Sequence, residues 1–229
     1  MVQLGHRGGT PGRSKSYHSY GYSNLRDYGL ADKKAGIEQL AERHAFIDID
    51  KVGLYGHSGG GFMTAAALLR EPYNDFFKVG VSSSGNHDNN VYGRHWAERY
   101  HGLTQVDEVV KKGKQNGKAA EAAEGDEVAD ETKTSFKINV PTNAELAGNL
   151  KGHLLLTHGD MDNNVHPAGT VRLVDALIQA NKRFDMLIFP GKRHSYGDYN
   201  AYFTQRKWEY FAEHLLGDYQ PGADILQKD

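Results

Sequence analysis

The sequence predicts an α/β fold built on a doubly wound, mostly parallel sheet. Two observations predict it: short apolar runs recur along the chain, and segments with apolar residues at helical spacing lie between them. Strands that are apolar throughout and alternate with helices are typical of a parallel sheet covered by helices on both faces.

Four apolar runs predict the buried strands of this sheet. They are residues 51–56, 76–81, 153–157 and 184–189. A shorter apolar segment at residues 2–4 precedes a glycine-rich stretch, and this pattern predicts the end of another strand running into a loop.

Helical periodicity predicts the elements between these strands. Apolar residues recur every three or four positions within residues 30–45, 62–69 and, after Pro167, 171–178. The same periodicity at residues 208–216 predicts a helix that closes the chain.

Residues 105–137 break this alternation. They are rich in Lys, Glu, Ala, Asp and Gly and have little apolar periodicity, so we expect a mobile polar excursion, such as a loose hairpin, between two sheet strands. A solvated helix at residues 118–124 is the alternative. Apart from this excursion, the length of 229 residues is that of a single domain, and residues 1–229 are predicted to form one.

The composition is that of a soluble globular protein. A net charge of −2 argues against nucleic acid or an anionic membrane as a partner, and no apolar run is long enough to span a bilayer. The chain has no cysteine, which excludes disulfides, a cysteine nucleophile and thiolate-bound zinc. Its first residues contain no targeting signal, so the compartment stays open.

The segment Gly56–Gly60 fits the G-x-S-x-G nucleophile elbow, with Ser58 as the nucleophile. The turn in this motif is so tight that the serine is strained and side chains at the flanking glycine positions collide. Here the motif follows an apolar strand and opens an Ala-rich helix, which is the context that the motif requires. A sheet of the α/β-hydrolase type is therefore predicted, with Ser58 exposed above it.

A base and an acid for this serine are expected after later strands, in the order acid and then histidine. The loop after residues 153–157 contains Asp160 and Asp162, and the loop after residues 184–189 contains His194. Both loops follow the carboxyl ends of strands, where ligands bind in open α/β sheets. The spacing alone leaves both aspartates open as the acid.

No metal or other cofactor is predicted. Asp160, Asp162 and Asn164 resemble the start of a calcium loop, but Val165 and Val171 stand where such a loop needs glycine and glutamate. Three histidines, which we expect to be solvated or to support other site residues, lie in a stretch predicted to be irregular: His87, His95 and His101.

With these motifs in place, the chain resembles the catalytic domain of the prolyl oligopeptidase family of serine peptidases. It is most similar to the dipeptidyl peptidase IV-like subgroup, particularly the bacterial members. The resemblance runs through Arg7–Gly9, Gly56–Gly61, Glu98–Tyr100, His158–His166 and Gly191–His194. The histidine-rich acid loop is its most specific part.

The resemblance implies roles that spacing does not give. It makes Asp162 the catalytic acid and places Asn164 at a substrate carbonyl. It also places Val165 in the pocket for the residue before the scissile bond. Trp96 and Tyr92 are candidate aromatic walls of that pocket, with ordinary core packing as the equal alternative.

Two departures from the family pattern shape the expected function. The family's peptidases have an N-terminal β-propeller that grips the substrate amine, and nothing in this sequence corresponds to it. The chain also begins at what would be the fourth strand, so the tyrosine that supplies half of the oxyanion hole has no counterpart. Loss of one such donor costs roughly 3–4 kcal/mol of transition-state stabilisation.

The sheet is therefore predicted to be truncated at its N-terminal strands. The strand at residues 51–56 would have an uncovered edge that must pair with residues 2–5, with another subunit as a homo-oligomer, or with a missing piece of chain. The missing strands have three possible explanations: a fragment of a longer protein, a shortened variant, or an intimate oligomer.

The first functional hypothesis is hydrolysis of an ester or peptide through an acyl-serine. His194 takes the Ser58 proton, Asp162 holds the imidazolium, and the Gly59 N–H binds the oxyanion. A domain without a grip on the substrate amine is expected to act as an esterase, on aryl or feruloyl esters for example. The second hypothesis is an inactive fragment or interaction domain of a larger dipeptidyl peptidase. The resemblance implies a bacterial periplasmic or secreted location.

Overall fold

The computed structural model describes residues 1–110 and 131–219. It contains six strands: β1 (Val52–His57), β2 (Phe77–Ser83), β3 (Leu103–Val110), β4 (Glu131–Ile138), β5 (His153–Gly159) and β6 (Asp185–Phe189). Four of them form one parallel sheet in the order β1-β2-β5-β6, and β3 and β4 form a separate antiparallel pair. The predicted parallel α/β sheet is confirmed.

The helices lie between the strands in the predicted alternation. They are α1 (Lys15–His18), α2 (Leu25–Arg43), α3 (Gly59–Leu69), α4 (Tyr73–Phe76), α5 (Arg94–His101), α6 (Ala168–Gln179) and α7 (Asn200–Phe211). A π-helical turn at Ala212–Leu216 extends α7. Among the helices of the described ranges, none combines the length and the apolar character that crossing a membrane requires.

Helices cover both faces of the sheet because successive side chains of a strand point to opposite faces. On one face, Leu154 and Leu156 of β5 pack with Leu173 of α6 and with the alanines and leucines of α3. On the other face, Leu155 packs with Tyr210 of α7. The two central strands are therefore buried on both sides, which explains their continuous apolar runs.

The prediction of a strand end at residues 2–4 is wrong. These residues have no regular secondary structure, and the Leu4 side chain lies over α2, where a Cβ added to Gly36 would be 2.8 Å from Leu4 Cδ1. This segment packs on α2 and does not pair with the sheet. Within residues 1–110 and 131–219, the outer edge of β1 pairs with no strand, so pairing with residues 2–5 is excluded and the other two options remain predictions.

The polar excursion has hairpin arms. β3 and β4 pair from Leu103 with Ile138 to Val110 with Glu131, which confirms a hairpin for the arms. The alternative helix at residues 118–124 lies outside the described residues, and the mobility of the excursion stays a prediction.

Helix α5 was not predicted. It puts His95 and His101 on a helix rather than in an irregular stretch, and His87 and His101 are each only 1% exposed, so they are not solvated. The His101 ring packs between Trp96 and Phe62, with ring centroids 5.1 and 5.4 Å away. The helix has only eight residues, and its two large apolar side chains, Trp96 and Tyr100, are too few to form a pattern that stands out in the sequence.

Burial lowers the pKa of His101 to about 4. An unfolded chain takes up a proton on this histidine near pH 6.5 and the folded chain does so only near pH 4, so the free energy of unfolding falls as the pH drops between those values. The free energy of unfolding, measured with denaturant, should fall from pH 6 to pH 5 by about 1 kcal/mol more in the parent protein than in His101→Phe. Equal losses in the two proteins would contradict a neutral, buried His101.

Candidate active site

Ser58 occupies the turn between β1 and α3 in a strained backbone conformation. Its φ of 59° and ψ of −122° lie in a region that residues with a Cβ rarely adopt. The turn is fixed at both ends, because the Ser58 N–H donates to Ser83 O at 2.8 Å and its carbonyl accepts from Phe62 N–H at 3.0 Å. The predicted nucleophile elbow is confirmed as a backbone geometry.

The glycines of the elbow differ in what they contribute. A Cβ on Gly56 would lie 2.3 Å from the Gly60 carbonyl oxygen, whereas a Cβ on Gly60 would meet nothing within 4 Å. The expectation that both flanking positions need glycine is therefore right for Gly56 and wrong for Gly60. Gly61 has the second close approach, since its Cβ would lie 2.5 Å from Ser83 O.

Gly59 is the first residue of α3, directly after the serine. The first N–H groups of a helix have no acceptor within the helix, and the helix dipole makes them favourable partners for negative charge. The Gly59 N–H therefore has the position that the sequence assigned to an oxyanion donor.

Asp162 and His194 come together at the carboxyl ends of β5 and β6. His194 Nδ1 lies 2.7 Å from Asp162 Oδ2, and the Asp162 side chain is 0% exposed. Asp160 lies apart from this pair: it is exposed, and its Oδ1 accepts from the Gly191 N–H at 2.7 Å. The geometry thus places Asp162, and not Asp160, at the histidine.

Four donors surround the Asp162 carboxylate. The Asn164 and Val165 N–H groups both donate to Oδ1 at 2.9 Å, and His158 Nε2 lies 3.2 Å from Oδ2, beside His194. Burial alone would raise the pKa of Asp162, but the hydrogen bonds from His194 and from the two backbone groups outweigh it and lower the pKa below its usual value. Asp162 is therefore ionised at neutral pH and cannot rotate away from His194.

His158 is a site residue whose role the sequence analysis missed. Its Nε2 is 2.9 Å from the Val165 carbonyl, which only accepts, so Nε2 holds the proton and Nδ1 accepts from the Thr170 hydroxyl at 2.7 Å. The buried imidazole is neutral, since burial lowers its pKa. Its position in the acid-loop motif was visible, but its contact with Asp162 depends on how the loop curls.

Tyr196 anchors the histidine loop and was also missed. Its buried hydroxyl lies 2.8 Å from Ser83 Oγ, 3.2 Å from Ser84 Oγ and 2.9 Å from Thr157 Oγ1. Ser83 ends β2, Ser84 follows it and Thr157 lies within β5, so one hydroxyl ties the loop after β6 to both central strands of the sheet. His194 lies two residues before Tyr196 in the same loop, so this anchor also fixes the position of His194.

The structure shows no hydrogen bond between the candidate nucleophile and the candidate base. In the described structure Ser58 Oγ has no hydrogen bond to His194, whose ring instead contacts His57, with centroids 4.7 Å apart. His57 Nδ1 in turn lies 2.9 Å from Ser83 Oγ. Nucleophile–base hydrogen bonds are often long without substrate and tighten when it binds.

The candidate substrate-binding residues divide between two cavities. Val165 and Tyr92 line one of about 330 Å³, where the Tyr92 hydroxyl also donates to Asn164 Oδ1 at 3.3 Å. Trp96 lines the other, of about 350 Å³, together with Gly59. The Tyr92 and Trp96 rings pack edge to face, with centroids 5.4 Å apart.

The fold and the site together define a serine hydrolase or peptidase type of domain on an α/β-hydrolase sheet. The solved structures with a similar fold include two dipeptidyl peptidase relatives. A putative dipeptidyl aminopeptidase IV from Bacteroides ovatus gives a TM-score of 0.70 at 24% identity, over 92% of this chain and 26% of that one. Porphyromonas gingivalis dipeptidyl peptidase 4 gives 0.69 at 26% identity, again over 92% and 26%.

The sequence model of the prolyl oligopeptidase family matches residues 1–218, and this chain belongs to that family. Human dipeptidyl peptidase 8 is 32% identical over 166 residues, which is 72% of this chain and 16% of that protein. Dipeptidyl aminopeptidase A of Saccharomyces cerevisiae is 27% identical over 84% of this chain and 18% of its own length. The chain thus spans less than a fifth of each of these two relatives.

The geometry of the elbow predicts that alanine substitution at two of its glycines, Gly56 and Gly60, affects stability differently. Gly56→Ala should lower the free energy of unfolding by about 1–3 kcal/mol or more, because its Cβ would overlap the Gly60 carbonyl. Gly60→Ala, the matched control, should leave stability unchanged or raise it by up to about 1 kcal/mol, since Gly60 lies in a helix with open space around it. Denaturant unfolding of both variants measures this, and equal effects would refute the assigned turn.

Proposed function

We propose that this domain hydrolyses carboxylic esters through an acyl-serine formed on Ser58. The observation that carries the proposal is the pair of Asp162 and His194, 2.7 Å apart, at the same edge of the parallel sheet as a serine held at positive φ. Each of the three residues follows a different strand of one parallel sheet, which is how this fold assembles a triad. Membership of a serine peptidase family supports the same chemistry.

The hydrogen-bond partners give His194 the tautomer that a general base needs. Because Asp162 accepts at Oδ2, His194 holds its proton on Nδ1, and Nε2 keeps a lone pair for the serine proton. As that proton moves, Ser58 Oγ bonds to the acyl carbon and the carbonyl electrons pass to the oxygen. The Gly59 N–H stabilises this oxyanion, and the ionised Asp162 stabilises the imidazolium.

The second half of the reaction returns the enzyme to its starting state. The imidazolium gives its proton to the leaving alcohol as the bond to the acyl carbon breaks. A water molecule then loses a proton to His194 Nε2 and attacks the acyl-serine, and the acid is released as Ser58 recovers its proton.

Esters rather than peptides are the proposed substrates of this chain. An alkoxide leaves more readily than an amide nitrogen, so an ester depends less on a complete oxyanion hole, and one donor, the Gly59 N–H, is assigned here. The relatives named dipeptidyl peptidases favour a second candidate, cleavage of peptides by a longer protein of which this domain is a part.

We expect hydrolysis of p-nitrophenyl acetate by this chain and little hydrolysis of Gly-Pro-p-nitroanilide. The reason is that the anilide has the poorer leaving group and depends on recognition of a free amine. Release of nitrophenol or nitroaniline is followed by absorbance, with Ser58→Ala as the inactive variant and the exposed Ser16→Ala as its matched control. Brisk anilide cleavage would reverse the proposed order of substrates.

Covalent labelling separates an enzyme from an inactive interaction domain. A fluorophosphonate should label the parent protein and Ser16→Ala but not Ser58→Ala, since only a serine activated by His194 reacts with it readily. Folded parent protein that stays unlabelled would show that the domain retains the triad residues without the activity.

A further inference from the structure

The imidazole of His158 clamps both ends of a segment that forms one wall of a cavity. Its Nε2 lies 2.9 Å from the Val165 carbonyl, and its Nδ1 lies 2.7 Å from the Thr170 hydroxyl. Between these two contacts runs a segment that lines the cavity of about 330 Å³ with Val165, His166, Ala168 and Gly169. His158 is 0% exposed and Thr170 is 1% exposed, so the clamp is closed to solvent.

The single proton of the His158 ring faces two acceptors. Burial keeps the ring neutral, and the Val165 carbonyl can only accept, so the proton is on Nε2. Asp162 Oδ2 lies 3.2 Å from the same nitrogen and takes a weaker share of this N–H. Oδ2 is also the atom to which His194 Nδ1 bonds at 2.7 Å. Two imidazoles therefore compete for one carboxylate oxygen.

This competition affects how strongly Asp162 acts on His194. A donor beside a carboxylate draws on its negative charge, and less of that charge is left to stabilise a protonated imidazole at the same oxygen. The Asp162 side chain is 0% exposed, so water screens its charge little. In such surroundings the dipole of one N–H group has a measurable effect.

The other titratable groups near the pair are neutral at pH 7. The His57 ring contacts His194 from β1, with centroids 4.7 Å apart, and burial lowers its pKa. Burial lowers the pKa of His87, after β2, to about 3 and raises the pKa of the Tyr196 hydroxyl above its usual value. In the described part of the chain no lysine or arginine forms an ion pair with Asp162. The charge of Asp162 therefore acts on its histidines without a competing cation.

We propose that His158 is a positioning residue of the ester-hydrolysing site. Its Nε2–H holds Val165 in the cavity wall and, at the same time, limits how strongly Asp162 stabilises protonated His194. The inference rests on the proposed function, because it takes His194 as the base that accepts the serine proton. As a consequence, His194 stays free to accept that proton at a lower pH than it would if Asp162 had only one imidazole partner.

Two amide substitutions separate the Nε2–H from the rest of the ring. Glutamine places an amide N–H near the position of Nε2, whereas asparagine reaches only as far as Nδ1. The low-pH limb of kcat/KM for p-nitrophenyl acetate reports the base of the free enzyme. In His158→Asn this limb should move to higher pH by about 0.5–1 unit, because Asp162 then acts on His194 alone. In His158→Gln the limb should stay at its parent position.

Thr170→Val is the control for loosening of the clamp. It removes the hydroxyl that bonds to Nδ1 but leaves the proton on Nε2, because the Val165 carbonyl still only accepts. Its low-pH limb should coincide with that of the parent protein, even where kcat or KM changes. An unmoved limb in His158→Asn, or an equal shift in His158→Gln or in Thr170→Val, would overturn the inference.

NMR on the parent protein tests the same coupling without a substitution and without turnover. With ¹⁵N-labelled histidine, His158 should remain neutral with its proton on Nε2 while His194 titrates, and the His158 Nε2–H resonance should shift with the midpoint of that titration. This response without ester hydrolysis would support the coupling through Asp162 and refute the hydrolase. Ester hydrolysis with a His158 resonance that does not respond would support the hydrolase and refute the inference.

Discussion

The carboxylate of Asp162 is the group around which the site is organised. Its side chain is fully buried, and a charge in that position is tolerated only because hydrogen bonds surround it. Two backbone N–H groups fix one oxygen, and two histidines share the other. The acid loop must curl after β5 to supply the backbone donors, and the loop after β6 must bring His194 to the remaining position.

The hydroxyl of Tyr196 and the strained turn at Ser58 complete this arrangement from either side. Tyr196 joins the histidine loop to the end of β2 and to β5, and Ser58 N–H bonds to the end of β2. The groups proposed to react therefore follow strand ends whose spacing the sheet sets. Such positioning is worth more to a hydrolase than any single contact, since small displacements of reacting groups cost much of the rate.

Local patterns in the sequence predicted those features that depend on neighbours along the chain. The elbow, the alternation of elements and the order of serine, acid and histidine are of this kind. The sequence could not show that His101 would be buried between two rings, or that residues 2–4 would pack on α2. Choosing Asp162 over Asp160 needed a family resemblance, because the curl of a loop decides which carboxylate faces inward. Arg26 and His101, 75 positions apart, both pack against the Phe62 ring only in the folded chain.

The role of Asp162 is tested most directly by the proton between His194 and Asp162. Proton NMR in water should show a strongly downfield resonance from His194 Nδ1–H, shifted by its short bond to a buried carboxylate. The resonance should persist in Ser58→Ala, which leaves the pair intact, and disappear in His194→Gln and in Asp162→Asn. A resonance that survives Asp162→Asn, or that disappears in Asp160→Asn instead, would contradict the central role of Asp162.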